Sequence, residues 1–295
     1  MAQFEREGVV LAYDDTGGDS RTPLVFLHGL SSSRSTWARF VKAFATEHRV
    51  LTLDHRGHGE SAHAPGTYTL EHYGPDAAEF CERVVGVPAV LIGHSLGGVI
   101  AHTVAWSRPD LVRGVLLEDP PLYVDERDPG DDSFTMIFTL MRQVISDLQS
   151  RRAPLEEYET MMASAPSRTG NGTMADLFGE EGTRAQARAM ARLDPQIYTA
   201  AIDGTGLAGA APEATLSCPI RVLRADPALG PAFTPEDERR FRHTNPHAVV
   251  TEVEGASHLI HDEQPERVLS EVRALVDEVG PLDGPVRPSR SMPSG

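Results

Sequence analysis

The chain has 295 residues, enough for one large domain or a core with an inserted segment, and its composition is that of a folded globular protein. Its net charge is −16, with 43 acidic against 27 basic residues and Lys42 as its single lysine, which argues against partners such as nucleic acid or an anionic membrane. No apolar run is long enough to span a membrane, the start lacks the basic and apolar regions of a secretory leader, and Cys81 and Cys218 form no motif; we therefore expect a cytoplasmic protein with two buried free thiols.

Short Val/Leu/Ile-rich runs at 8–13, 23–28, 49–54, 88–93, 113–118, 219–224 and 247–253 read as strands. They alternate little between apolar and polar, as strands covered on both faces do. Between them, residues 35–47, 70–85, 96–107 and 265–278 carry apolar side chains at helical spacing, and Pro109 closes the third of these helices. Strands alternating with helices predict an α/β fold with a mostly parallel sheet covered on both sides.

The alternation stops between 121 and 215. That stretch holds six of the eight methionines and contains no clear strand, so it reads as a mainly helical insertion, a lid over the sheet. Its Met and aromatic residues suit helix packing, an adaptable apolar pocket, or both. The organisation expected is a core of 1–120 and 216–279, a lid of 121–215, and a disordered Pro/Gly/Ser-rich tail of 280–295. Gly204 to Gly209 fits a dinucleotide-loop pattern, but no strand leads into it and no helix follows, so no cofactor is inferred.

Gly93-His94-Ser95-Leu96-Gly97 fits G-x-S-x-G where a predicted strand gives way to a predicted helix. On such a bend the serine takes strained dihedrals, and side chains at the two glycine positions would strike the adjoining strand and helix. The hydroxyl is held clear of the backbone, beside a helix N-terminus that favours developing negative charge.

With this motif in place, the chain resembles the α/β-hydrolase family outside the lid. "FLHGLSSSRSTW" (26–37) is similar to the family's loop after strand three, "DHRGHGES" (54–61) to its D-x-R-G-x-G-x-S loop, and "GASHLIHDEQPE" (255–266) to its histidine loop. The resemblance implies an eight-stranded, mostly parallel sheet with the lid inserted after strand six. It implies Ser95 as nucleophile, His258 as base, and the backbone N–H groups of Leu30 and Leu96 as oxyanion donors. His261, three residues on, is the competing base and is expected at the surface. His55, His58 and His63 lack a matched carboxylate set, so no metal is expected.

The acid that orients His258 has two candidates. Many family members carry it after the penultimate strand, where Asp226 arrives early and Pro227-Ala228-Leu229 stand at the usual place. Other branches carry it after the strand that follows the nucleophile helix, where Asp119 lies 24 residues beyond Ser95. Asp119 is preferred, with Asp226 as the alternative. The expected activity is hydrolysis of carboxylic esters or lactones bearing an apolar, fairly bulky group, with His28, Gly29, His94, Met136, Phe138, Met161 and Leu259 around the substrate. Cleavage of a C–C bond, acyl transfer, and a catalytically weak ligand-binding relative are the alternatives. Oligomeric state is not legible.

Overall fold

The structure is a computed structural model that describes residues 1–18, 22–124 and 133–282. Seven strands coincide with the apolar runs: β2 (Val9–Asp15), β3 (Leu24–Leu27), β4 (Val50–Leu53), β5 (Ala89–His94), β6 (Val112–Glu118), β7 (Ile220–Ala225) and β8 (Val249–Val253). An eighth, β1 (Ala2–Arg6), escaped the sequence reading because it is an edge strand burying only Phe4. The spatial order is β1-β2-β4-β3-β5-β6-β7-β8. The β1–β2 and β2–β4 pairs are antiparallel and the remainder parallel.

Ten α-helices are described: α1 (Ala38–Phe44), α2 (Leu70–Phe80), α3 (Leu96–Ser107), α4 (Ser133–Ser150), α5 (Leu155–Ser164), α6 (Met174–Arg192), α7 (Ile197–Ile202), α8 (Pro235–Thr244), α9 (Ile260–Glu263) and α10 (Pro265–Val279). The sheet separates two cores. Leu24, Phe26 and Ile92 face α1 and α10, whereas Val25, Leu27 and Leu91 face α2, α3 and α8. Burial on both faces accounts for the weak alternation in the sequence. Helices α4 to α7 form an insertion between β6 and β7. Both cysteines are buried and free.

Two ion pairs, one buried and one partly buried, lock the loop after β4. Asp54 accepts from the Arg34 and Glu60 backbone N–H groups (2.6 and 2.9 Å) and pairs with the Arg34 guanidinium. Arg56 grips both Asp76 oxygens at 2.7 Å. The D-x-R-G-x-G-x-S motif is therefore scaffold in this chain. Of the tail expected to be disordered, Gly280 is fastened, its carbonyl accepting from Thr22 Oγ1 (3.0 Å) and Arg113 Nη1 (2.9 Å); residues 283–295 lie outside the described residues.

Candidate active site

Loops at the carboxyl ends of parallel strands meet over the sheet, which is where open α/β folds gather ligand-binding groups. Here Leu30 follows β3, Ser95 follows β5, Asp119 follows β6 and His258 follows β8.

Ser95 adopts φ 51°, ψ −118°, a left-handed conformation unusual for a residue with a Cβ. Its N–H donates to Glu118 O (2.9 Å), and its carbonyl accepts from Gly98 N (2.8 Å) and Val99 N (3.1 Å). A Cβ at Gly93 would sit 2.1 Å from Gly97 O, and one at Gly97 would sit 2.1 Å from Leu27 O. Strand and helix pass so closely that only glycine fits at either position. Every residue from 89 to 102 is buried except Ser95, which is partly exposed.

Asp119, fully buried at φ 41°, directs one oxygen to His258 Nδ1 at 2.7 Å. The same carboxylate accepts from the backbone N–H groups of Ala232 (2.8 Å), Phe233 (3.2 Å) and Ala225 (3.3 Å). The loop after β7 thus wraps around Asp119 as a set of donors. Asp226 is placed elsewhere: it caps the turn at Pro227–Leu229 through Ala228 N (2.9 Å) and braces the loop after β8 through Gly255 N (2.8 Å). Those two backbone bonds hold its carboxyl below the ordinary carboxylate value.

A cavity of about 420 Å³ opens over these groups, lined by Leu30, Ser95, Leu96 and His258 and roofed by the insertion. Its walls are largely apolar, with Phe138, Met141, Met162, Phe178 and Met190 prominent. Of the residues expected around a substrate, His94, Phe138 and Leu259 line it. Four do not. His28 is wholly buried, its Nδ1–H donating to Gly29 O (2.8 Å) while Nε2 accepts from His55 N (3.1 Å). Gly29 lies against the His94 ring and the Ser95 Cβ. Met136 points outward at 76% exposure, and Met161 packs on the core while its neighbour Met162 takes the wall. A helix turns about 100° per residue, so a one-residue error in register moves a side chain to another face.

His261 departs from the sequence expectation, since it is buried rather than at the surface. Its backbone N–H and Nδ1–H both donate to Glu118 Oε1 at 2.8 Å, and Nε2 meets Thr36 Oγ1 at 2.9 Å. Burial pulls its pKa down, but the charges of Asp262 and Glu118 outweigh that and raise it to about 9. His94 behaves oppositely: burial, with His261 and His258 beside it, holds it well below its ordinary value, and its Nε2–H donates to His258 O (2.8 Å).

His94, Glu118 and His261 bring possible metal-ligand atoms within 4.8 Å of one another. Within this trio Glu118 Oε1 binds His261 Nδ1–H, whereas the His94 Nε2–H is directed to His258 O. His63 Nε2 is engaged by Arg192 O (2.8 Å), while the rings of His28, His55 and His58 pack on one another at steep angles. Sequence reasoning gave no role to Glu118, Thr36, Ser31, Gln186 or Tyr198; Ser31 and Thr36 lie inside the 26–37 loop, and the other three carry no motif signal.

The Alpha/beta hydrolase family model matches residues 24–271, most of the chain and all of the strands from β3 to β8. The chain belongs to the alpha/beta hydrolase family. Among curated members it is 43% identical over 115 residues to an sn-1-specific diacylglycerol lipase of Danio rerio, a match covering 38% of this chain and 36% of the lipase. A bifunctional esterase/perhydrolase of Acinetobacter calcoaceticus is 31% identical over 150 residues, covering 50% of this chain and 52% of that enzyme. The matched stretch thus spans little more than a third of the lipase and about half of the esterase. Solved structures superpose nearly end to end. A thermophilic esterase of Thermogutta terrifontis has TM-score 0.67 at 26% identity, over 94% of this chain and 97% of that one. An enol-lactonase of Burkholderia xenovorans LB400 has TM-score 0.69 at 22% identity, over 94% and 100%. Among the described residues no helix is long and apolar enough to cross a membrane.

Proposed function

We propose that this alpha/beta hydrolase cleaves carboxylic esters or lactones through an acyl-enzyme on Ser95. The observation carrying this reading is that Ser95, strained at φ 51°, shares one cavity with a His258 whose Nδ1 is bound to buried Asp119 at 2.7 Å. With Nδ1–H held by Asp119, Nε2 is the basic nitrogen. It takes the hydroxyl proton as Oγ attacks the carbonyl carbon. The oxyanion develops beside the Leu30 and Leu96 N–H groups; Leu96 opens α3, so its N–H has no acceptor within the helix. The imidazolium then gives its proton to the leaving oxygen, and a water activated by the same Nε2 releases the acid.

The Met- and Phe-rich wall supports an apolar, fairly bulky acyl or alcohol group, with the insertion acting as a lid. Lipase and esterase relatives support the same class. Acyl transfer to an alcohol is the second reading, favoured by 37% identity over 106 residues to an ethanol acetyltransferase of Wickerhamomyces anomalus. The test is a series of p-nitrophenyl esters and lactones of rising bulk, with and without added ethanol. Ser95→Ala is expected to lose about 10⁴–10⁶ in kcat and all labelling by a fluorophosphonate. Retained turnover in that variant overturns the proposal.

A further inference from the structure

The loop that carries Leu30 is held from above. Ser31, the next residue, sits at φ 71°, in the left-handed region that a residue with a Cβ seldom occupies. Two side chains of the insertion bind it there. Tyr198 of α7 donates its hydroxyl to Ser31 Oγ at 2.7 Å, and Gln186 of α6 donates Nε2–H to Ser31 O at 3.0 Å. Tyr198 is wholly buried and its ring stacks on Phe138, with centroids 5.7 Å apart. Leu30, Ser31 and Gln186 all line the cavity. The insertion therefore grips the backbone one residue beyond the proposed oxyanion donor.

A residue that relaxes from positive to negative φ turns the peptide plane preceding it. At Ser31 that plane carries the Leu30 carbonyl, and its rotation shifts the Leu30 N–H one unit further back. We propose that Tyr198 and Gln186 are positioning residues that keep Ser31 left-handed and so aim the Leu30 N–H at the developing oxyanion. The insertion then contributes to the chemical step as well as to substrate fit. This rests on the serine-hydrolase reading above. Burial raises the Tyr198 hydroxyl to about 12, so it remains a donor throughout the working pH range.

The experiment measures kcat and KM with p-nitrophenyl hexanoate, together with inhibition by an aryl boronic acid, which forms a tetrahedral adduct on an active serine. Tyr198→Phe is expected to lower kcat about 10-fold, and the Tyr198→Phe/Gln186→Leu pair about 100-fold, with KM within about 2-fold. The boronate inhibition constant should weaken by the same factors. Glycine tolerates positive φ, so in a Ser31→Gly background the Tyr198→Phe effect should shrink to under about 2-fold. Ser31→Ala keeps the Cβ and loses the hydroxyl, so it should fall as far as Tyr198→Phe. A merely structural role would lower thermal stability without this kcat-only pattern and without the matching loss of boronate affinity. Unchanged kcat in the double variant, a loss confined to KM, or an equal loss in the Ser31→Gly background overturns the proposal. Fluorophosphonate labelling of Ser95 separates the two readings: labelling with unaltered kcat in the variants ends this inference alone, whereas no labelling of the parent chain ends both.

Discussion

At the residue scale, two adjacent acids at the end of β6 serve two different histidines, Glu118 holding His261 and Asp119 holding His258. Asp119 is the stronger candidate for the triad acid because its second role, gathering three backbone N–H groups, fixes it in one orientation. Replacing it with Asn would offer an N–H where an acceptor is needed and favour the wrong imidazole tautomer. Asp119→Asn is expected to cost about 10⁴ in kcat. Asp226→Asn should leave turnover near that of the parent and lower stability slightly, since the amide oxygen can still accept from Ala228 N while its N–H is turned toward the Gly255 N–H. The reverse pattern in steady-state assays and urea melts would transfer the role to Asp226.

At the element scale, the β5–α3 junction leaves no room for a side chain at Gly93 or Gly97. The Cβ of Gly97→Ala would meet the Leu27 carbonyl oxygen at 2.1 Å and its carbon at 2.5 Å, both backbone atoms of the neighbouring strand β3. Neither can retreat without breaking the sheet, so we expect at least about 3 kcal/mol of lost stability, the upper end for overpacking. A urea midpoint matching that of the parent would show that α3 shifts more freely than its packing implies. The glycines at 93 and 97 were legible in the sequence for this reason: the bend permits no other residue. The faces of α4 and α5 were not legible. Apolar residues there serve cavity, core and solvent alike, so composition could place neither Met136 nor Met161.

At the scale of the whole molecule, buried histidines set the pH range of stability. Burial holds His28 and His94 well below the ordinary value near 6.5, His55 at about 3, and His58 and His102 at about 4. These five stay neutral in the fold at pH values where the unfolded chain protonates them, so stability falls as pH drops below about 6.5. The raised carboxyls Asp54 and Asp262 act in the opposite sense at the acid end, and are outnumbered. His261, raised to about 9, contributes stability that is whole below 6.5 and is lost as pH climbs to 9, about 3 kcal/mol in all. Thermal melts across pH 4–10 should therefore peak near pH 6.5–7. A flat profile below 6.5 would mean these rings are solvated.

The sequence by itself determined the α/β architecture, the helical insertion and the bend at Ser95. Each is written in local terms: apolar runs, helical spacing, and glycines where no Cβ fits. Which acid meets His258, the burial of His261, and the grip of Tyr198 and Gln186 on Ser31 were decided only by tertiary structure. These contacts join groups 139, 143, 167 and 155 residues apart in the chain. Their geometry depends on where strand ends and inserted helices come to rest against one another, and no local pattern encodes that.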